Sequence, residues 1–401
     1  MWTIAIIVAG VVIGIITGIT PGIHVNLVCA LLVGISSTLL DVISALDLGI
    51  LIVAIAVTHV FVDLVPSTFL GAPNPETALT ILPAHRLLMQ GRGYEAVRLG
   101  VVGAFASLLI GIAVMPFAII MIPFLYDSIN AYIPWIIVVA VGYLIVCESS
   151  GEQRAWALVV FVLSGFLGWV ALESDMSEPL LPLLSGAFGV AMLLVAIREN
   201  AIVPPQYETE EIVLDAREIA KVSSASVGAG ILTALLPGLG ASQGIALISG
   251  VVGSSELMYI VIASGVSMIN FVFSLVALLT IGKARSGAVA AVQELIPSIT
   301  THEIIVLIIA AVASAGLAVI ATFACARVFA RYVSRVPYAT LCITVVVFTI
   351  VLVYVLSHWQ GLAVLILSTV IGLISQYSGI KKTHAMGCLL VPVMIRGFIG
   401  Y

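Results

Sequence analysis

The sequence predicts an all-α polytopic membrane protein built from two inverted-topology repeats, and three observations predict it. First, the 401 residues are 62% hydrophobic and only 9% charged, with a mean hydropathy of +1.27. A soluble chain of ordinary composition carries about a quarter charged residues. Second, apolar runs of membrane-spanning length recur from end to end, and the short alternating segments of a β-barrel are absent. Third, two phrases nearly repeat: GIITGITPGIHVN at 14–26 and GAGILTALLPGLGASQG at 228–244. Each puts a Pro-Gly pair in an apolar stretch where a membrane helix must break. Broken helices in matching places of two halves point to a transporter binding site.

The elements follow in order. A Pro-Gly-broken hairpin at about 2–40 leads into five crossings near 48–64, 98–122, 132–147, 155–172 and 180–198. The most polar stretch, within 199–222, has a Pro-Pro break followed by a charged, helix-prone piece, and reads as a cytoplasmic linker. A second hairpin at about 225–252 precedes crossings near 257–281, 303–327, 338–357, 361–377 and 383–398. The chain thus divides into repeats at 1–198 and 223–401. Five crossings are an odd number, so the second repeat is inverted relative to the first.

Loop charge sets the expected sidedness. Loops carrying Asp41 and Asp47, Asp127, or Glu173, Asp175 and Glu178 lack basic residues. Those with Arg86, Arg92 and Arg98, Arg154, Arg198 to Lys221, Arg327 to Arg335, and Lys381 with Lys382 have them. The two kinds alternate, which puts both termini outside a prokaryotic cell membrane. The first eighteen residues have no basic lead and no small-residue cleavage site, and read as mature structure. The five cysteines are scattered, an odd number mostly in apolar segments; buried free thiols fit them better than disulfides or a metal site. A net charge of −5 with no basic tail or stacking motif gives no footing for nucleic acid.

A second pair of segments matches between the halves. PSTFLGAPNPETALTILPAHRLL at 66–88 follows one crossing, and LLTIGKARSGAVAAVQELIP at 278–297 follows its counterpart, which aligns Gly71 with Gly282. Non-helical backbone at membrane depth is tolerated only in a cavity wall or inside protein. The four broken elements are therefore expected to converge on the repeat interface.

Helix restarts offer free N–H groups and a positive dipole end, suited to anions. Pro21, Gly22, His24 and Asn26 lie at the first restart, and Pro237, Gly238, Gly240, Ser242 and Gln243 at the second. Tight turns between helices are the plain alternative. Gly71, Asn74 and Thr77 belong to the third element. Lys283 and Arg285 are the clearest charges of the fourth, with Arg suited to carboxylate or phosphate; they would otherwise snorkel at a helix end.

Three residues are candidates for coupling. His59 and Asp63 stand four apart on one helical face, as a proton relay or a buried polar pair. Glu76 would carry a proton, join a Na+ site, pair with Arg285 or cap a helix. No resident cofactor or metal is implied; Na+ enters only as a coupling ion. Enzyme signatures are missing: His302-Glu303 begins HExxH but the fifth position is Val306, and no G-x-S-x-G elbow or P-loop occurs.

The run PSTFLGAPNPETALTILPAHRLLMQGRGYEAVRLG resembles the signature region of the large permease subunit (TctA) of tripartite tricarboxylate transporters, and TPGIH and LPGLGA resemble that family's two Pro-Gly motifs. Pro21-Gly22, Pro66, Gly71, Pro73, Pro75, Thr77, Ala78, Leu79, Pro83, Gln90, Gly91 and Pro237-Gly238 carry over. The resemblance implies cation-driven uptake of di- or tricarboxylates by alternating access. It also implies a small membrane subunit and an extracytoplasmic binding protein as partners. Departures fall on the site: Thr80 stands where the family has aspartate, GKARSGA replaces a Pro-Gly-containing segment, and His24 replaces a small residue. Polyprenyl-phosphate translocases belong to the same superfamily, and Lys283 and Arg285 would suit a lipid phosphate as well. A lipid-carrier translocase is therefore the alternative reading. Remoter ones are an intramembrane enzyme and a non-transporting subunit.

Overall fold

A computed structural model describes residues 2–20, 25–71, 81–129, 132–176, 178–198, 203–208, 214–235, 255–335 and 337–399, with 241, 244, 245 and 248 as isolated positions. The described chain is helical: α1 Trp2–Ile19, α2 Val25–Gly34, α3 Ala45–Phe69, α4 Ile81–Met89, α5 Gly93–Ile129, α6 Ile133–Val146 and α7 Gly151–Leu172. There follow α8 Leu180–Arg198, α9 Ala216–Leu235, α10 Glu256–Ile281, α11 Gly287–Leu295, α12 Thr301–Tyr332, α13 Tyr338–Tyr377 and α14 Gly387–Ile399. Among the described residues, eight helices are long and apolar enough to cross a membrane. Helices are what lipid requires, because they satisfy every backbone group within the segment.

Two crossings expected near 338–357 and 361–377 form one helical run, α13. Forty residues would extend about 60 Å if straight, twice the hydrocarbon thickness. The run turns back at His358, whose φ of 52° lies in the left-handed region. Beyond the turn, a Cβ on Gly361 would meet Val353 Cγ1 at 3.0 Å, although the two are eight residues apart. The helix α9 starts at Ala216, inside the stretch expected to be linker, because AREIAK continues helically into the apolar run. Four cysteines are buried or half-buried free thiols, as expected; Cys147, beyond the end of α6, is exposed.

Small residues set which helices touch. On α1, Gly10, Gly14 and Gly18 face Ala54, Thr58 and Val62 of α3, a small-xxx-small stripe that lets two backbones approach. The pairing rises together, so α1 and α3 run parallel. The chain between them must therefore travel back along the whole of α1, about 27 Å, and α2 is part of that return. The same logic applies in the second half, where Ser226 of α9 donates to the Ile262 carbonyl of α10 and Gly230 abuts Ile269.

Directions across the halves also follow. Gly93 and Gly100 of α5 lie against Phe69 and Leu64 of α3, so these two helices are antiparallel. Gly103 and Gly111 of α5 lie against Val261 and Ile269 of α10, which is a parallel pair. It follows that α3 and α10 run in opposite directions. Helix α12 packs parallel to α3, with Leu307 near Gly49 and the rings of Phe69 and Phe329 6.0 Å apart. At the centre, α10 is enclosed on all sides and α3 nearly so.

Candidate functional site

The second broken segment is built around one hydroxyl. Helix α10 ends at Gly282 in the left-handed conformation, φ 66°, which glycine adopts without steric cost. Ser274 Oγ, two turns back, accepts the backbone N–H groups of Arg285 at 2.7 Å and Ser286 at 2.9 Å. The segment is thereby folded down on its own helix. Ser286 then caps α11 by accepting from Val289 N.

Arg285 points at the flank of the second Pro-Gly motif. Its Nε donates to the Ala234 carbonyl at 3.0 Å and an Nη to the Leu235 carbonyl at 3.3 Å. These are the last described carbonyls of α9. Lys283 Nζ donates to Tyr126 Oη at 2.6 Å. Both cations lie over the Tyr126 ring, Lys283 at 5.0 Å and Arg285 at 5.6 Å from its centre, a cation–π arrangement. Burial draws the Arg285 guanidinium below its ordinary pKa, and Tyr126 opposes that shift. Among the described residues neither cation has a carboxylate partner. Two positive charges held on one aromatic face can receive an anion.

The first half offers a different chemistry. His59 and Asp63 are both buried on α3. His59 Nδ1 meets Thr17 Oγ1 at 3.2 Å, and Thr17 in turn donates to the Gly14 carbonyl. Asp63 Oδ2 accepts from Ser67 Oγ at 3.2 Å. Gly71, φ 61°, closes α3 as Gly282 closes α10, so the two aligned glycines share a conformation.

The described flanks of the two broken segments do not meet. Phe69 lies against Gly93 and Arg285 over Tyr126; those two α5 positions are about 50 Å apart along a straight helix. Lys283 and Arg285 therefore lie toward one end of α5 and the described carboxylate candidate Asp63, next to Leu64, toward the other. Pro21, Gly22, His24, Asn74, Glu76, Thr77, Pro237, Gly238, Gly240, Ser242 and Gln243 lie outside the described residues, and of Asn26 only the backbone, in α2, is described.

Two participants escaped sequence reasoning, Tyr126 and Ser274. Tyr126 is 157 residues from Lys283 and reads as an ordinary interfacial aromatic; Ser274 reads as one small residue in a buried helix. Among the described residues no cluster of three or more His, Cys, Asp or Glu is placed to hold a metal.

An uncharacterised protein of Methanocaldococcus jannaschii is 27% identical over 360 residues, covering 86% of this chain and 87% of that one. No solved structure matches the chain. The model of the tripartite tricarboxylate transporter TctA family matches residues 4–387, from the first turn of α1 to the first residue of α14. A match that spans every crossing up to α14 reaches far beyond the motifs, and on it the chain belongs to the tripartite tricarboxylate transporter TctA family, a family of membrane permeases.

Proposed function

We propose that the chain carries small organic anions, di- or tricarboxylates, across a prokaryotic cell membrane by alternating access, driven by H+ or Na+. The observation that carries this reading is the pair Lys283 and Arg285, held over Tyr126 at the flank of the second Pro-Gly motif with no carboxylate partner among the described residues. The opposite courses of α3 and α10, each with a parallel partner before it, support two inverted halves, the architecture of many secondary carriers. Partners of the kind the family uses, a small membrane subunit and an extracytoplasmic binding protein, complete the proposal.

Charge supports the sidedness. Of the fifteen Lys and Arg residues, all but Lys283, Arg285 and Arg396 belong to helix ends and loops at the Gly93 end of α5. That end is accordingly cytoplasmic, both termini lie outside, and the Tyr126 cluster faces the source of substrate.

The test is a thermal-shift and uptake series on the purified full chain. Ligands would be citrate, succinate, inorganic phosphate and a short-chain polyprenyl phosphate, each with and without Na+ at two pH values. Native-state ligands raise the melting temperature by mass action. Carboxylates should do so, and Arg285→Ala should weaken them about tenfold, with exposed Arg327→Ala as the control. Tyr126→Phe, which keeps the ring but removes the acceptor of Lys283, should fall between. A shift with polyprenyl phosphate alone would replace this reading with the lipid-carrier one.

A further inference from the structure

Away from the Tyr126 cluster, α7 and α13 diverge near Ser150 and Ser378 and leave an open groove of about 700 Å³. Its walls include Ser150, Gln153 and Trp156 from the start of α7, and Val370 and Tyr377 from the end of α13. Polarity is graded along it. Ser150 and Ser378 lie at helix ends, where membrane meets water, and Trp156 and Val370 lie further into the span and are exposed. Trp and Tyr at this depth are typical of the membrane interface.

One cation stands beside the polar mouth, held by the wall residue Tyr377. Arg198 Nη1 donates to Tyr377 Oη at 2.9 Å, and the guanidinium lies over that ring, 5.7 Å from its centre. Among the described residues no carboxylate pairs with Arg198. Arg154 and Lys381 are exposed nearby in sequence. Against these stands one exposed wall carboxylate, Glu152. The neighbouring Glu148 is turned inward, its carboxylate bound to His384 and to the Lys381 N–H. The described charges around the mouth are therefore net positive and its depth is apolar, the complement of a lipid with a negative headgroup. Basic pockets between membrane helices bind such headgroups.

We propose that this groove is a binding site for one anionic phospholipid, its phosphate at Arg198 and its acyl chain along Trp156 and Val370. The assignment does not depend on what the protein transports. It is tested by native mass spectrometry and thermal shift on the delipidated full chain, with phosphatidylglycerol, phosphatidylcholine and phosphatidylethanolamine as probes. Phosphatidylglycerol should be retained preferentially. Arg198→Gln should reduce that retention about fivefold, the worth of one basic residue at a lipid surface. Tyr377→Phe keeps the wall and frees only Arg198 from its anchor, so a smaller loss is expected. Arg327→Gln, exposed on α12, should retain the lipid like the parent. Equal retention by parent and Arg198→Gln, or no preference over the two zwitterionic lipids, would overturn the site. Better retention of phosphatidylethanolamine would do so too, and would point to Glu152 as the recognising charge.

Discussion

Gln206 grips both sides of the turn that opens α5: its Oε1 accepts the Gly93 N–H at 2.8 Å while its Nε2 donates to the Leu88 carbonyl at 3.0 Å. Tyr207 N–H adds a bond to the Gly91 carbonyl, and Glu208 pairs with Arg331 at the far end of α12. The piece of chain joining the two halves thus acts as a strap. It fastens the turn behind the GAPNPE segment to a helix of the other half.

Gln206→Ala should lower stability by about 1–3 kcal/mol, since it strands the Gly93 N–H, while the Leu88 carbonyl keeps the Gly91 N–H. Thermal unfolding of the purified chain would register this. Limited proteolysis should open the 203–208 stretch first. A variant melting with the parent would mean the strap is decorative.

Close helix packing gives a paired prediction. A Cβ on Gly103 would overlap the Val261 carbonyl, which is backbone and cannot rotate away, whereas nothing lies within 4 Å of a Cβ on Gly228. Gly103→Ala should cost about 1–3 kcal/mol by overpacking. Gly228→Ala, on an exposed helical face, should gain about 0.5–1 kcal/mol from helix propensity. Similar melting temperatures for the two variants would contradict the parallel α5–α10 seam.

Stability should also respond to pH through groups beyond the membrane spans. Burial lowers His85 to about 4, helped by the charge of Lys382, and lowers Lys382 itself to about 8. Burial also lowers His384, against the pull of Glu148. Between about 4 and 6.5 the unfolded chain binds the proton that folded His85 refuses, so stability falls as pH drops through that window. Lys382 has the same sign higher up, with stability rising as pH climbs from about 8 to 10.5. Melting curves of His85→Gln should show a shallower acid limb than the parent; an identical limb would remove His85 from the account.

On α3, His59 is the candidate to carry a coupling proton, its Nδ1 within hydrogen-bond distance of Thr17 Oγ1. His59→Asn keeps a polar side chain at that depth and removes the titration. Uptake by this variant should lose its pH dependence. A profile that keeps its shape would leave His59 as a packing partner of α1.

Much of the fold was legible because membrane helices announce themselves by length and composition. The turn expected between 357 and 361 is the bend at His358, and the aligned pair Gly71 and Gly282 share a left-handed backbone. What stayed hidden depends on neighbours distant in sequence. Nothing in GKARSG says that Arg285 will reach carbonyls fifty residues earlier, or that Tyr126 will lie beneath it. The tightness of the α5–α10 seam is equally silent, because a glycine in an apolar helix reads the same whether it is exposed, as Gly228 is, or packed on another backbone, as Gly103 is.

That seam has a mechanical consequence. Helix α5 is clasped by α9 and α10, and α12 by α3. Each half of the sequence has lent its fifth-wheel helix to the other and taken one in return. Whatever pieces of this molecule move as rigid bodies, their dividing line cannot follow the midpoint of the chain. A cut through the strap would leave two polypeptides still interlocked.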